Sequence, residues 1–327
     1  MRQHTEILAS PSQSVNDYDT FQGLIPSFQR NLRAINRAPK TIATYLEALR
    51  QFAGFVQASG MPNYPALITR EHIEHFLVHL QDRGLSSATI NNRFRGLQSF
   101  FKWMVEVEGE IRAENNPIAR LKSPKVDETL PSVLELEDLQ KLVEHCLKAD
   151  DQNARRDTAI IRVFIDTGAR LSEIAEIKLD DVELDAGLIT VTGKGNRTRR
   201  VSIGPKTVQA VDRYLRRRQQ KFGRGTDRLW LGSGGGQQID KKPYLGISGI
   251  RKMMQKRAED AGLDHINPHQ LRHTAAHYAK SEDDYKDADI MAQFGWRSSR
   301  SMDKYARSTA EERAHDAHKR HSLGDRI

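Results

Sequence analysis

In "NPHQLRHTAAHYA", residues 267–279, the histidines His269, His273 and His277 stand four apart, with Arg272 between the first two. Residues three and four apart on a helix are neighbours. His269 can therefore chelate a metal with His273 or hold an anion with Arg272. The metal reading is the weaker. A catalytic zinc needs three protein ligands, and His277 would lie about 12 Å along the axis from His269 at the helical rise. No Glu follows His269 as an HExxH pattern requires, and the charge of Arg272 repels a cation. No metal is expected here. His273 and His277 read as core or partner histidines, while His269 and Arg272 share one face, which leaves an anion between them open.

Other groups suit the same chemistry. In "DTGARLSEIAEIKLDD", Arg170 comes just after Gly168, where a helix should end, and Glu173 follows three residues later. A guanidinium at such a junction can offer its planar fork to a phosphate or a carboxylate. Taken alone, Arg170 and Glu173 read first as a structural ion pair. Lys194 stands at the glycine-flanked tip of "GKGN". Between Thr190 and Lys221 there are ten Lys or Arg and one acid, Asp212, an excess that favours a phosphate target. The run "RYLRRRQQK" reads equally well as the wet face of a helix. Trp296 follows a glycine, and Tyr305 comes nine residues later in a short polar, basic segment. That tyrosine matters only if it shares a site with the groups above.

The elements that must position these residues are legible in the pattern. A chain of 327 residues is long enough for two domains. Its net charge of +8 and pI near 9.5 favour an anionic partner, nucleic acid first. A single cysteine, Cys146, excludes an intramolecular disulfide and a Cys-rich zinc module, and is expected to be a buried thiol. With no long apolar run and no signal peptide, no membrane partner is expected and the cytoplasm fits. Residues 1–18 read as a mobile arm. Residues 19–121 carry four amphipathic helical patterns, the third opening at Thr69 and closing at Gly84, the fourth opening at Ser86 or Ser87. "NNPIARLKSPKVDETLPSV", with three prolines and no apolar period, places a linker at 122–131. Residues 132–327 are helical again except for one alternating stretch, "DVELDAGLITVTGKGNRTRRVSIG". The fold class is mainly α with a small antiparallel β-sheet.

Taken in order, "GARLSE", "GKG", "HQLR", "FGW" and "DKYAR" resemble the motifs of the tyrosine recombinases, the phage integrase family. "TIATYLEALRQFAGFV" and "SSATINNRFRGLQSFFKWMV" are similar to that family's N-terminal helices, so the resemblance spans roughly residues 20–320. It implies an N-terminal four-helix core-binding, SAM-like domain and a tyrosine-recombinase catalytic domain. It also implies a catalytic set of Arg170, Lys194, His269, Arg272, Trp296 and the nucleophile Tyr305, with Glu173 in support. Many members have histidine where Trp296 stands; an indole N–H donates but does not accept.

The implied reaction transfers a DNA phosphodiester to Tyr305 as a 3′-phosphotyrosine and passes through a Holliday junction, with no cofactor, metal or ATP. The implied partner is double-stranded DNA bearing a specific recombination site, clamped between two basic domains. Candidate DNA contacts are Lys40, Thr41, Thr44, Arg93 and Arg95 in the first domain and Arg197, Arg199 and Arg200 on the hairpin. By analogy the polar tail "TAEERAHDAHKRHSLGDRI" docks on a neighbour in a homotetramer on DNA. A first core helix near residue 20 is expected to leave no room for the arm-type domain of some integrases. Two alternatives stand beside this reading: a type IB topoisomerase-like nicking-closing enzyme, and a non-catalytic DNA-binding protein with the same fold. The complete set of candidate catalytic residues argues against the second.

Overall fold

The computed structural model describes residues 19–126, 132–149, 153–193, 195–222, 226–232, 244–281 and 285–296, with Ser298 and scattered positions from 315 to 326. Lys194 and Tyr305 lie outside the described residues, as do the arm at 1–18, the linker positions 127–131 and most of the C-terminal tail. The chain divides into two compact units, Met1–Glu128 and Thr129–Ile327.

The first unit is built from α1 (Phe21–Ala34), α2 (Pro39–Ala58), α3 (Arg70–Asp82) and α4 (Ser87–Glu106). Local chemistry sets their ends. The Thr20 hydroxyl accepts from the Gly23 N–H at 3.2 Å, and Ser86 Oγ accepts from the Thr89 N–H at 3.3 Å. At Thr69 the box closes through a histidine: the Thr69 N–H donates to His72 Nδ1 at 3.1 Å. Proline at the first position of α2 costs nothing, because that N–H has no intrahelical partner. The apolar stripes meet in an aromatic core. Phe21 meets Phe52 edge-on at 5.4 Å, Phe28 meets Phe100 at 5.3 Å, and Phe52 meets Phe76 at 5.1 Å. Helices α2 and α4 touch backbone to backbone at Gly96, where a Cβ would fall 2.6 Å from that of Ala48.

The second unit contains α5 (Leu136–Lys148), α6 (Ala154–Thr167), α7 (Leu171–Glu176), β1 (Val182–Glu183), β2 (Leu188–Gly193), β3 (Arg197–Ser202), α8 (Pro205–Phe222), α9 (Ile247–Asp260), α10 (Pro268–Ser281) and α11 (Asp287–Phe294). The sheet is antiparallel in the order β1-β2-β3, with Ile189 opposite Val201 and Val191 opposite Arg199. Ile189, Val191 and Val201 face the core with Ile160, Ile161 and Phe164 of α6 and with Trp230. Cys146 is buried in α5. Among the described residues no helix is long and apolar enough to cross a membrane.

The glycine contacts give a paired prediction. Gly96→Ala forces α2 and α4 apart and should destabilise the protein by about 1–3 kcal/mol. Gly54→Ala, in an open position of α2, should stabilise it by about 0.5–1 kcal/mol. Urea denaturation of both variants checks the signs; equal effects would refute the close helix contact.

Candidate active site

The site begins where α6 stops. Gly168 takes the left-handed conformation, φ 53°, and a Cβ there would lie 2.2 Å from the Phe294 ring. Two residues on, extended Arg170 opens α7, and Glu173 folds back onto it. Glu173 Oε2 accepts from the Arg170 N–H at 2.9 Å, and Oε1 accepts from Arg170 Nη1 at 2.9 Å. From β3, Arg199 Nη2 donates to the same carboxylate at 2.8 Å. Glu173 is 1% exposed. Burial pushes its carboxyl up, but the Arg199 hydrogen bond, the Arg170 N–H, the Arg199 charge and the Arg170 side-chain hydrogen bond outweigh it and hold the group down, at about 2. The Arg170 side chain stays 46% exposed. Gly193 lets the hairpin close on this carboxylate, since a Cβ there would stand 3.0 Å from Glu173 Oε1.

The second arginine is held differently. Asn267 caps α10, its Oδ1 accepting from the Gln270 N–H at 2.9 Å. Arg272 is 2% exposed. Its guanidinium donates to the Gly168 carbonyl and, at 2.7 Å, to the Phe294 carbonyl. The Phe294 and Trp296 rings each lie 5.6 Å from its central carbon. Arg199 Nε donates to the neighbouring Gln293 carbonyl at 3.1 Å. The Gln293 side chain staples α11 to β3, its Oε1 accepting from the Ser202 N–H at 3.0 Å and its Nε2 donating to the Ser202 carbonyl at 2.9 Å. These bonds close a circuit from Arg272 to Gly168, along the chain to Arg170, to Glu173, to Arg199, to α11 and back to Arg272.

The circuit gathers Arg170, Glu173, Arg272 and Trp296, four of the residues expected from the motifs. His269 is exposed on the first turn of α10, its ring edge-on to His273 at 4.5 Å. Among the described residues no three His, Cys, Asp or Glu side chains gather as a metal site requires, so the histidine stripe offers a pair at most. Trp296 has a role its N–H did not suggest: its ring face covers Arg272.

The expected DNA contacts divide. Lys40, Thr44 and Arg93 line one cavity of about 890 Å³, together with Arg33, Arg37 and Arg50, which sequence reasoning missed. Thr41 and Arg95 lie outside that lining. On the hairpin Arg197 is exposed, and Arg200 is exposed with Glu183 at 2.6 Å. Arg199 was expected beside them as a DNA contact; it turns inward to Glu173, its side chain 16% exposed. Strand alternation carries that signal, because Arg199 shares its face with buried Val201.

Comparison with known proteins shows the family. The family model described as the phage integrase family matches residues 132–312, and the phage integrase N-terminal SAM-like domain matches residues 24–111. The tyrosine recombinase XerC of Oceanobacillus iheyensis is 32% identical over 252 residues, covering 76% of this chain and 79% of the relative. The structure of the XerH site-specific recombinase bound to its palindromic difH substrate, a post-cleavage complex, shares the fold. Its TM-score is 0.68 at 20% identity, over 94% of this chain and 85% of that one. A lambda integrase tetramer bound to a Holliday junction matches with a TM-score of 0.66 at 16% identity, over 90% and 78% of the two chains. With a family model over its second unit and a relative across three quarters of its length, the chain belongs to the phage integrase family and is a tyrosine recombinase.

Proposed function

We propose that this recombinase cuts and rejoins double-stranded DNA at a specific site, with Tyr305 as nucleophile and Arg170, Arg272, Lys194, His269 and Trp296 serving the phosphate. The observation that supports this most is the hydrogen bond from Arg272 to the Gly168 carbonyl. It joins residues 104 apart in sequence and so brings the two arginine motifs to one helix junction. In this reading the Tyr305 oxygen attacks the scissile phosphorus as its proton passes to His269. Charge builds on the nonbridging oxygens; the Arg170 guanidinium and the indole N–H meet it, and the field of Arg272 adds to them. The P–O5′ bond breaks, and Lys194 gives the leaving oxygen a proton. The 3′-phosphotyrosine keeps the energy of the broken bond, so the 5′-hydroxyl of a second strand can reverse the step without ATP or a metal.

Arg170 and Arg272 divide the work. Arg170 presents charge to the phosphate, while buried Arg272 braces the junction and extends the positive field. Glu173 and Arg199 are positioning residues for both. Lys40, Thr41, Thr44, Arg93, Arg95, Arg197 and Arg200 grip the backbone. Exchange takes place in a homotetramer joined by the C-terminal tails, in the cytoplasm; the likeness to the lambda integrase tetramer supports the fourfold assembly.

Three outcomes are expected. The target site can be recovered from randomised nicked duplex by covalent trapping. On it, wild type should trap as a 3′-phosphotyrosyl adduct on Tyr305, and Tyr305→Phe should bind but form none. Tyr214 is not a rival, since its hydroxyl is buried and donates to the Leu229 carbonyl at 2.9 Å. Adduct peptides mapping to any other residue would sink the assignment. Second, Arg170→Ala should slow adduct formation by roughly 10²-fold or more with little change in melting temperature. Arg272→Ala should lose cleavage and also about 2–4 kcal/mol of stability, because two buried carbonyls lose their donor. Matching stability losses in both would remove the division of roles. Third, cleavage should run undiminished in EDTA; inactivation reversed by added zinc or magnesium would restore the metal reading.

A further inference from the structure

A second concentration of positive charge lies away from the arginine circuit. A trough of about 1060 Å³ runs between the end of α5, one side of α6 and one side of α8. Arg155 and Arg162 of α6 and Lys206, Arg213, Arg216 and Arg217 of α8 line it. On each helix they recur at steps that build one stripe. Among the described residues, the structure records a carboxylate partner only for Arg216, which pairs with Asp212 at 2.6 Å. The rest of the lining is mostly small, Ala149, Ala154, Thr158 and Ala210, with Cys146, Leu147 and Gln209 beside them. No member of the Glu173 circuit lines it. Arg155 stands about 20 Å along α6 from Gly168 at the helical rise.

The composition of the trough selects its ligand. A protein partner binds through several apolar or aromatic anchors seated in pockets; here no aromatic side chain lines the trough and Leu147 is its one large exposed apolar residue, against six cations. Cations in two rows, five of them guanidiniums, suit phosphate oxygens. From Lys206 to Arg217 the α8 row is about 16 Å long, a length over which duplex DNA carries roughly nine phosphate charges. We infer that this trough is a second DNA-backbone site, which takes duplex beyond the stretch held at the arginine site. Only the choice of DNA among polyanions rests on the proposed function.

The test is the salt dependence of binding to a random-sequence duplex, for wild type and for Arg213→Gln/Arg216→Gln/Arg217→Gln. Each phosphate contact contributes about 0.9 to the slope of log K against log salt. The triple variant should therefore bind with a slope shallower by roughly 2–3, while forming adduct on a minimal nicked site duplex at the wild-type rate. The matching triple lysine variant should recover most of the slope and shows that charge, not folding, is read. An unchanged slope overturns the proposal. So does a parallel loss of adduct on the minimal duplex, which would place the trough within the primary grip. An unchanged slope with loss of protomer–protomer crosslinks would assign the trough to another copy of this chain. If Tyr305 fails to form an adduct while the slope difference stands, the proposed function fails and the trough does not.

Discussion

The carboxylate of Glu173 is the point on which the second unit's chemistry rests. It is buried, and three donors from two distant segments converge on it: the Arg170 N–H, the Arg170 side chain and Arg199. A buried carboxylate is tolerable only when paired and hydrogen-bonded. Its two arginines are therefore not interchangeable: losing Arg199 removes its more buried charged partner, whereas losing the half-exposed Arg170 side chain leaves the Arg170 N–H and Arg199 in place. Because its folded pKa of about 2 lies below the ordinary 4.5, the ionised form stabilises the fold. That contribution, of the order of 3 kcal/mol, is fully present above the ordinary value and is lost as the pH falls from there through the folded value.

The circuit that passes through Glu173 explains how three kinds of element share one geometry. A helix junction supplies Gly168 and Arg170, the sheet supplies Arg199, and α10 supplies Arg272, which reaches back to the junction. The end of α11 is fixed twice, by Arg199 at the Gln293 carbonyl and by Arg272 at the Phe294 carbonyl. Glycine is required at Gly168, under the Phe294 ring; Gly295, with φ 64°, lies against the Arg199 guanidinium, and Gly193 sits tightly against the Glu173 oxygen. The exposed arginine is thus braced by a carboxylate that is itself braced, and the buried arginine is fixed by carbonyls. Preorganisation of this kind gives electrostatic stabilisation its value, because little needs to reorient during the reaction.

Much of this was legible in the sequence. The helices, the caps at Thr69, Ser86 and Asn267 and the hairpin follow from periodicity and from residues whose side chains serve free N–H groups. Arg170, Glu173, Arg272 and Trp296 were found by motif and meet in the fold. Arg199 was misplaced because a run of arginines reads as surface charge; it shares a face with buried Val201, while Arg197, on the same face nearer the turn, and Arg200 stay exposed. Arg33, Arg37 and Arg50 were missed because no local pattern joins them to Lys40 and Arg93; α1, α2 and α4 bring them together. The buried bridge from Asp157 to Arg156 and Arg257 escaped for the same reason, since its partners are up to 100 residues apart.

The central claim is that Glu173 remains ionised because Arg170 and Arg199 hold it. Side-chain carboxyl NMR across an acid titration tests it most directly, in wild type and in Arg199→Gln. The Glu173 resonance should show no protonation in wild type through the region near 4.5 where ordinary glutamates titrate, and should shift upward in its titration when Arg199 is neutralised. A Glu173 that titrates with the exposed glutamates in wild type, or one indifferent to the loss of Arg199, would contradict the account.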